Sequence, residues 1–516
     1  MRLFVYHITH FAGCGCDITF LIMTDTESIY SIILAVMIII TVYILYSTWN
    51  GWTSNKRFPP GPRPLPLIGN LHILNLKKPY LTFIELSKTY GPVLSVQMGM
   101  NKSVVLVGYE TVKDALVNYA DAFAERAHVP IFEKIDNGMG VLFSHGENWK
   151  VMKQFTVTTL RAFGMGKRTI EEKMIEESGY LIQQFDSFKG KPFDNTMILN
   201  ASVANIIVGI ILGHRMEYDD KIYQRLLYLL NENAHLLGSP GVAVYNIFPV
   251  LGILPGSHKA FFRNVKELYE FLRNTFVKHM IHLDKDDQRS LIDAFLVRQK
   301  EEANNPKTYF HNKNLTSIVR NLFAAGMVTT STTLRWGILI MIKYPEIQEK
   351  VQVEIARTIG LTQPNYSHRE QMPYTNAVIH EIQRFGDILP MVIPHEVTKD
   401  VDFKGYFISK GTRVIPLLTS VLRDKTKFKY PDEFNPNNFL DSGGNFIKNE
   451  AFMPFGAGRR LCVGETLAKM ELFIFFTSLL QRFTFCLPPG ADDVNLCAPG
   501  GFLNAPPPQT ICASSR

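Results

Sequence analysis

The chain has 516 residues, a net charge of +7, and a composition that is 46% hydrophobic and 20% charged. This length allows a large buried core, and the hydrophobic share excludes a mostly disordered chain. The charge is modest and no long lysine or arginine run occurs, which argues against a nucleic-acid-binding protein. The six cysteines are too sparse for a disulfide framework, and none form a C-x-x-C pair, which argues against a zinc ribbon. We therefore expect reduced thiols in a protein that faces the cytosol.

An apolar run without a charged residue extends from Ile29 to Tyr46. Its length of about 18 residues is near the minimum for a helix that spans a bilayer. Asp25 and Glu27 precede the run, and Lys56 and Arg57 follow it. A buried core helix is the alternative, and a cleaved signal peptide fits less well because no basic segment directly precedes the run. The positive-inside rule favours a single transmembrane anchor over residues 29–46, with the bulk of the chain in the cytosol.

The segments on either side of this anchor have different characters. Residues 1–28 form a leader of uncertain status, within which Met23 opens a conventional anchor sequence, and we predict that Met23 is the functional start. Residues 47–66 are rich in proline, which fixes φ and predicts a semi-rigid linker. We assign residues 67–516 to one large globule.

The globule is predicted to be mainly α with a small β-sheet region. A hairpin is expected from residues 93–98 and 103–107, and short strands within 391–416. A long, poorly periodic stretch covers residues 425–461. Residues 240–257 are apolar and broken by glycine and proline, which fits either core packing or contact with a membrane surface. Apolar positions at helical spacing predict helices over residues 147–160, 171–186, 197–213, 220–237, 259–283, 312–343, 346–358, 373–385 and 463–482.

The strongest chemical signal is the segment from Phe455 to Gly464, with the sequence FGAGRRLCVG. Its glycines permit a flat ligand to approach the backbone closely. Cys462 lies directly before a predicted helix, whose N-terminus would stabilise a thiolate. Arg460 can neutralise a carboxylate. The segment therefore predicts a loop that presents sulfur to a metal and holds an anionic cofactor.

The pattern F-x-x-G-x-R-x-C-x-G resembles the haem-binding signature of cytochromes P450. The resemblance extends over roughly residues 28–510 and is greatest to the microsomal, vertebrate-type family 2. It implies the cytochrome P450 fold, with a haem b cofactor whose iron is bound by Cys462. The signature positions, all assigned to cofactor binding, are Phe455, Gly458, Arg460, Cys462 and Gly464.

Glu381 and Arg384 match the E-x-x-R motif of that family. At this spacing the two side chains share one helix face and can pair. The resemblance implies a structural role, in which the pair fixes the long loop that supports the haem. The third partner is usually arginine or histidine, and Asn438 occupies that position here, so we expect a weaker contact.

Residues 325–330 resemble the A-G-x-[D/E]-T-[T/S] segment of the family's long central helix. Gly326 inside a helix costs about 1 kcal/mol relative to alanine, which a local opening of the helix would explain. The resemblance implies that Thr329, with Thr330 beside it, delivers a proton to the oxygen being activated. The alternative is a threonine hydroxyl bonded back to its own helix. Val328 stands where an acid is usual, so we expect water to carry more of the proton path.

Trp149 and Lys153 resemble the W-x-x-x-R motif that holds haem propionates. Lysine keeps the charge of the usual arginine but lacks its bidentate fork. His395 matches a further propionate contact of the family. All three residues are therefore expected to bind the cofactor.

The resemblance also implies the activity and the partners. A thiolate ligand favours O–O cleavage, so the reaction would insert one atom of O2 into a lipophilic substrate such as a xenobiotic, fatty acid or steroid. No dinucleotide motif is present, so electrons from NADPH would arrive through cytochrome P450 reductase, with cytochrome b5 as a further partner. Lys150, Arg459 and Lys469 are candidate docking charges. The implied location is the endoplasmic reticulum membrane.

Substrate contacts are assigned on the same resemblance. Asn321 stands where some relatives carry an acid that anchors amines, which favours neutral substrates. The alternatives to a monooxygenase are a peroxide-rearranging isomerase and a membrane-tethered haem sensor or carrier, and Thr329 favours the monooxygenase. The residues expected to contact substrate are Asn321, Ala325, Leu389, Ile393 and Phe502.

Overall fold

The computed structural model describes residues 26–53 and 57–516. The chain divides into two compact units, Met1–Ser54 and Asn55–Arg516. The leader up to residue 25, with the predicted start at Met23, lies outside the described residues, as does part of the predicted linker.

The first unit contains one helix, α1, from Thr26 to Thr53. It includes the whole apolar run of residues 29–46, and the side chains described within it are exposed. In the described parts of the chain, we find no helix that combines the length and the hydropathy needed to cross a membrane.

The second unit is dominated by helices, as predicted. The described residues after α1 form the α-helices α2 Pro79–Tyr90, α3 Tyr109–Lys113, α4 Pro130–Asp136, α5 Gly146–Ala162, α6 Arg168–Asp186, α7 Thr196–Ile211, α8 Lys221–Leu237, α9 Pro240–Ile247, α10 Ser257–Ile281, α11 Leu291–Glu301, α12 Asn312–Lys343, α13 Pro345–Thr358, α14 Pro373–Gly386, α15 Leu418–Leu422 and α16 Glu465–Arg482. The nine predicted helices are all present, while α2, α3, α4, α9, α11 and α15 were not predicted.

The strands are few and short. They are β1 Val93–Met98, β2 Asn101–Leu106, β3 Glu125–Arg126, β4 His395–Glu396, β5 Val401–Phe403, β6 Tyr406–Ile408, β7 Arg413–Pro416, β8 Phe483–Cys486 and β9 Cys512–Ser515. The predicted hairpin is β1–β2, and the strands expected between residues 391 and 416 are β4 to β7. The final pair, β8–β9, was not predicted.

The main sheet brings together segments that are far apart in sequence. Its strand order is β1-β2-β7-β4-β3, and β2 runs parallel to β7, with Ser103 opposite Arg413. At its other edge, His395 in β4 lies opposite Arg126 in β3. This pairing positions two side chains of the site described below.

The central helix α12 is the core of the second unit. Most of its residues from Leu315 to Met341 are buried, and it packs against α7 and α16 in the largest apolar cluster. The His311 ring accepts the backbone N–H of Asn314 at its start. At its end, Pro345 begins α13, and a residue that precedes proline disfavours helix. The predicted bounds of this helix, 312–343, are those observed.

The apolar connection of residues 240–257 contains both buried and exposed apolar side chains. Val242 and Tyr245 of α9 are buried, whereas Val250 and Ile253 are 77% and 80% exposed. The first half therefore packs in the core, and the second half presents an apolar surface.

Candidate active site

The Cys462 loop is held by backbone contacts. The backbone N–H of Cys462 donates to the carbonyl of Phe455 at 3.1 Å. Gly458 has a φ of +74°, and a Cβ there would lie 1.8 Å from the carbonyl oxygen of Leu116, so only glycine allows this approach. Gly464 is the N-cap of α16, directly after the loop.

The environment of the Cys462 thiol combines access to solvent with burial by the protein. Its residue is accessible to solvent, yet burial is the main influence on the thiol and raises its pKa, against the lowering effect of the backbone N–H groups of Gly464 and Glu465. The two N–H groups are the donors that would stabilise a thiolate bound to a metal ion.

Glu381 and Arg384 form a fully buried bidentate pair. The Arg384 Nε and Nη2 donate to the two carboxylate oxygens of Glu381 at 2.7 Å each, and both side chains are 0% exposed. Burial raises the pKa of Glu381, and Arg384 opposes that shift. The remaining arginine N–H groups donate to backbone carbonyls of residues 422, 430, 431 and 433. One arginine thus fixes the start of the long irregular segment.

Asn438 makes the third contact with this pair. Its Nδ2 donates to Glu381 Oε1 at 3.1 Å and to the carbonyl of Tyr430 at 3.0 Å. Its Oδ1 accepts the backbone N–H of Tyr430 at 2.9 Å. The sequence argument expected only a weaker contact here, but an amide can accept as well as donate, and Asn438 therefore also ties down Tyr430.

Cationic groups converge beside the loop. The Arg460 guanidinium lies 3.7 Å from the ring centre of Trp149. It also donates to Ala124 O, Ser144 O and Glu125 Oε1. Lys153 is 5.0 Å from the same ring, and its Nζ donates to the carbonyl of Arg459 at 2.6 Å.

Arg126 belongs to this cationic cluster, and the sequence argument missed it. It is 5% exposed, and its Nη1 donates to the carbonyl of Ile393 at 2.7 Å. Burial, then the charge of Arg460, lowers its pKa to about 9. No motif marks Arg126 in the sequence, because it reaches the site through the pairing of β3 with β4.

His395 is buried and neutral. Its Nδ1 is 2.6 Å from the carbonyl of Phe123, which assigns the ring proton to Nδ1 and leaves Nε2 as an acceptor. Burial, then the charge of Arg126, lowers its pKa to about 3. In this state His395 cannot donate a second hydrogen bond to a carboxylate.

The cluster fits an anionic cofactor. Among the described residues, neither Arg126 Nε nor Arg460 Nη1 has a hydrogen-bond partner, although both atoms are buried. Burial also lowers the pKa of Arg460 to about 10. Two adjacent buried guanidinium groups with free N–H donors would be stabilised by the carboxylates of a haem, which lie at one edge of that molecule.

The central helix differs from expectation at residues 325–330. The helix is continuous there, so the expected local opening at Gly326 is absent. A Cβ at Gly326 would lie 2.6 Å from Ile207 Cγ1, so this glycine allows close packing with α7. The Thr329 hydroxyl donates to the carbonyl of Ala325 at 2.7 Å, which is the back-bonded alternative. Val328 and Thr330 are buried, whereas Ala325 is exposed.

The residues predicted to contact substrate lie in different environments. Ile393 and Phe502 meet in an apolar cluster with side chains of α4, α9 and α10. Leu389 is partly exposed. Asn321 is 2% exposed, and its Oδ1 accepts the backbone N–H groups of Val141 and Leu142, both at 3.1 Å. Its amide therefore holds the loop before α5, and only its Nδ2 lacks a partner among the described residues.

The candidate docking charges are all in ion pairs. Lys150 pairs with Glu147, and Lys469 with Glu465. Arg459 pairs with Asp121, and with Lys150 it lines a surface cleft of about 820 Å³. Exposed pairs of this kind contribute about 0–1 kcal/mol, so their cations can exchange partners.

Comparison with known proteins agrees with this geometry. The family model of cytochrome P450 matches residues 59–513. Cytochrome P450 2K4 of Oncorhynchus mykiss is 47% identical over 96% of this chain and 99% of the relative. Cytochrome P450 2K6 of Danio rerio is 48% identical over 88% and 90%, and cytochrome P450 2C8 of Homo sapiens is 42% identical over 91% and 96%. The chain belongs to the cytochrome P450 family.

Its activity follows from that membership. The protein is a haem-thiolate monooxygenase, with haem b as its cofactor. It acts on lipophilic substrates, including xenobiotics, with NADPH-derived electrons supplied by the reductase. The resemblance that the Cys462 motif indicated is thereby confirmed.

Proposed function

We propose that Cys462 binds the haem iron and that the surrounding loop holds the cofactor. When bound, haem supplies oxygen activation. Phe455, Gly458 and Gly464 shape the loop, and the N–H groups at the start of α16 stabilise the sulfur. This assignment is supported above all by the accessible thiol, which follows a loop where a Cβ at Gly458 would strike the backbone of Leu116.

The haem carboxylates are assigned to the cationic cluster. Arg460 and Arg126 provide the free buried N–H donors, and the Trp149 ring packs against the Arg460 guanidinium. Lys153 contributes charge while it holds the carbonyl of Arg459. His395 orients β4 through its bond to Phe123, and it contacts a carboxylate only if it is protonated.

Thr329 is proposed to hold the proton that oxygen activation consumes. Its hydroxyl hydrogen is directed at Ala325 O, so delivery requires a side-chain rotation away from that carbonyl. Thr330 is buried beside it. Val328 offers no carboxylate, so the proton must be replaced from water. Glu381 and Arg384 act only by fixing the loop.

The test compares Cys462→Ser with Cys486→Ser, which changes an exposed cysteine at the end of β8. We expect Cys462→Ser to lose the carbon monoxide band of a thiolate-bound haem and Cys486→Ser to retain it. Retention of that band by Cys462→Ser would contradict the assignment. Circular dichroism of both variants separates loss of the ligand from loss of the fold.

We further propose that the substrate is neutral. Asn321 carries no charge, and its carbonyl oxygen is occupied by two backbone donors. The apolar cluster around Ile393 and Phe502 would receive a hydrophobic molecule, and Ala325 and Leu389 are proposed as further substrate contacts. Turnover of matched neutral and cationic substrates with reductase tests this preference, and equal turnover would contradict it.

Membrane attachment at the endoplasmic reticulum is also proposed, with the catalytic region 67–516 on the cytosolic side and residues 47–66 as linker. The charge-free run of residues 29–46 and the exposed Val250 and Ile253 support it. Alkaline carbonate extraction of the full chain should leave it with the membrane pellet. Cytochrome b5 is proposed as a second partner at the face that carries Lys150, Arg459 and Lys469. Charge reversal at these residues should weaken electron transfer from the partner protein.

A further inference from the structure

Three side chains outside the haem site converge near the start of α5. His128 Nδ1 is 3.0 Å from Glu133 Oε1, and His145 Nε2 is 3.4 Å from the same oxygen. The two imidazole rings are stacked, with centroids 4.5 Å apart. One ligand atom from each of the three residues lies within 4.8 Å of the others.

These separations match a zinc coordination shell. Zinc bonds to histidine nitrogen and carboxylate oxygen are about 2.0–2.2 Å long, so tetrahedral ligand atoms lie about 3.3–3.5 Å apart. Imidazole nitrogen with one carboxylate is a ligand set that suits zinc better than magnesium or calcium. We propose that His128, Glu133 and His145 bind one Zn²⁺ ion, with water as the fourth ligand.

The surroundings of His145 support a metal ligand. Its other nitrogen, Nδ1, is 3.3 Å from Glu125 Oε1. A carboxylate in this position fixes the tautomer that leaves Nε2 free to coordinate, as is usual for histidine ligands of zinc. Glu396 also lies close enough to interact with both histidines. Three carboxylates therefore face the two imidazoles, which favours a cation.

The site is open to solvent. The side chains of His128, Glu133 and His145 are 63%, 33% and 24% exposed. An ion can therefore enter without rearrangement of the core, and a water ligand can complete the coordination. None of the three proposed ligands belongs to the haem loop, although Glu125, which faces His145, also accepts a hydrogen bond from Arg460 of that loop.

A bound ion would connect both ends of one loop. His128 precedes α4, Glu133 lies within it, and His145 is the residue immediately before α5. The segment between the histidines includes Phe132 and Phe143, which belong to the same apolar cluster as Ile393. Zinc would therefore hold the two ends of this segment together beside that cluster, which the proposed function assigns to substrate.

Zinc binding can be measured by isothermal titration calorimetry on the full-chain holoenzyme. The protein should carry no histidine tag and should first be treated with a chelator. We expect one site, and a loss of at least about tenfold in affinity for each of His128→Gln, Glu133→Gln and His145→Gln. His214→Gln is the matched control, because among the described residues the His214 ring contacts only a backbone carbonyl, and this variant should bind zinc normally. Unchanged affinity in the three variants would overturn the proposal.

Zinc-edge X-ray absorption identifies the ligands directly. We expect nitrogen and oxygen scatterers at about 2.0 Å. Sulfur at about 2.3 Å would show that exposed cysteines bind the ion instead, and would overturn the proposal. Hydrogen exchange adds a readout of the loop, in which zinc should slow exchange between residues 129 and 144 in the native protein but not in His128→Gln. The exposure of His128 makes misfolding of that variant an inadequate explanation, and its haem content provides the check.

Discussion

Asn438 should be essential to the stability of the loop that precedes the haem cysteine. Asn438→Ala removes two neutral hydrogen bonds to Tyr430 and one to the charged Glu381. A neutral bond contributes about 1 kcal/mol and a bond to a charged group about 1.5–3 kcal/mol, so we expect the free energy of unfolding to fall by about 3–5 kcal/mol. The loss is large because the site is 6% exposed and water cannot replace the amide.

Asn437→Ala is the matched control, since it makes the same chemical change one residue away. The Asn437 side chain is exposed and donates only to Asn435 Oδ1. Urea denaturation followed by both circular dichroism and haem absorbance measures each variant. A decrease for Asn438→Ala no larger than that for Asn437→Ala would refute the view that Asn438 secures Glu381.

Three further changes test other parts of the structure. Gly458→Ala should prevent normal haem incorporation because its Cβ would strike a backbone carbonyl. Gly456, with a φ of +73°, has open space around the position of a Cβ, so Gly456→Ala should retain most haem. Equal haem content in the two variants would contradict this reasoning. Gly326→Ala should destabilise the fold by about 1–3 kcal/mol through overpacking, while Gly209→Ala, in the facing helix with open space, should stabilise it by up to about 1 kcal/mol. Both are measured by thermal unfolding, and a stabilised Gly326→Ala would refute the packing role. Burial raises the pKa of Asp387 to about 7, so its favourable contribution is complete below pH 4 and is lost as pH rises through 7. Asp387→Asn should therefore remove a fall in stability on the order of 2 kcal/mol between pH 5 and 8, and an unchanged pH profile would exclude this origin.

The helical framework could be predicted from the sequence because long amphipathic helices have a strong period. The helical spacing of apolar residues predicted the bounds of α12, which in the structure lie between the N-cap His311 and Pro345, the first residue of α13. Short helices such as α4 and α9 were missed, since they offer too few turns for a period to show. Each begins at a proline, and the sequence analysis took the proline and glycine of residues 240–257 as breaks in regular structure.

The site could be predicted where its residues form a local motif. Cys462 and its glycines, and the pair Glu381–Arg384, are close in sequence and therefore recognisable. Arg126 could not be recognised from the sequence, because it joins the site only through a strand pairing with His395. No local sequence pattern indicates that contact. The direction of the Thr329 hydroxyl could not be predicted from the sequence either, since a helical threonine can adopt more than one rotamer.

The parallel pairing of β2 with β7 has a consequence for folding during synthesis. Ser103 and Arg413 are partners, although 310 residues separate them (413 minus 103). A ribosome adds about 5–20 residues per second, so β2 waits about 15–60 s for its neighbour. During that interval one edge of the β1–β2 hairpin is unpaired, and an unpaired edge can pair with another chain. We therefore expect the nascent protein to need chaperone protection of this hairpin until residue 416 has left the ribosome.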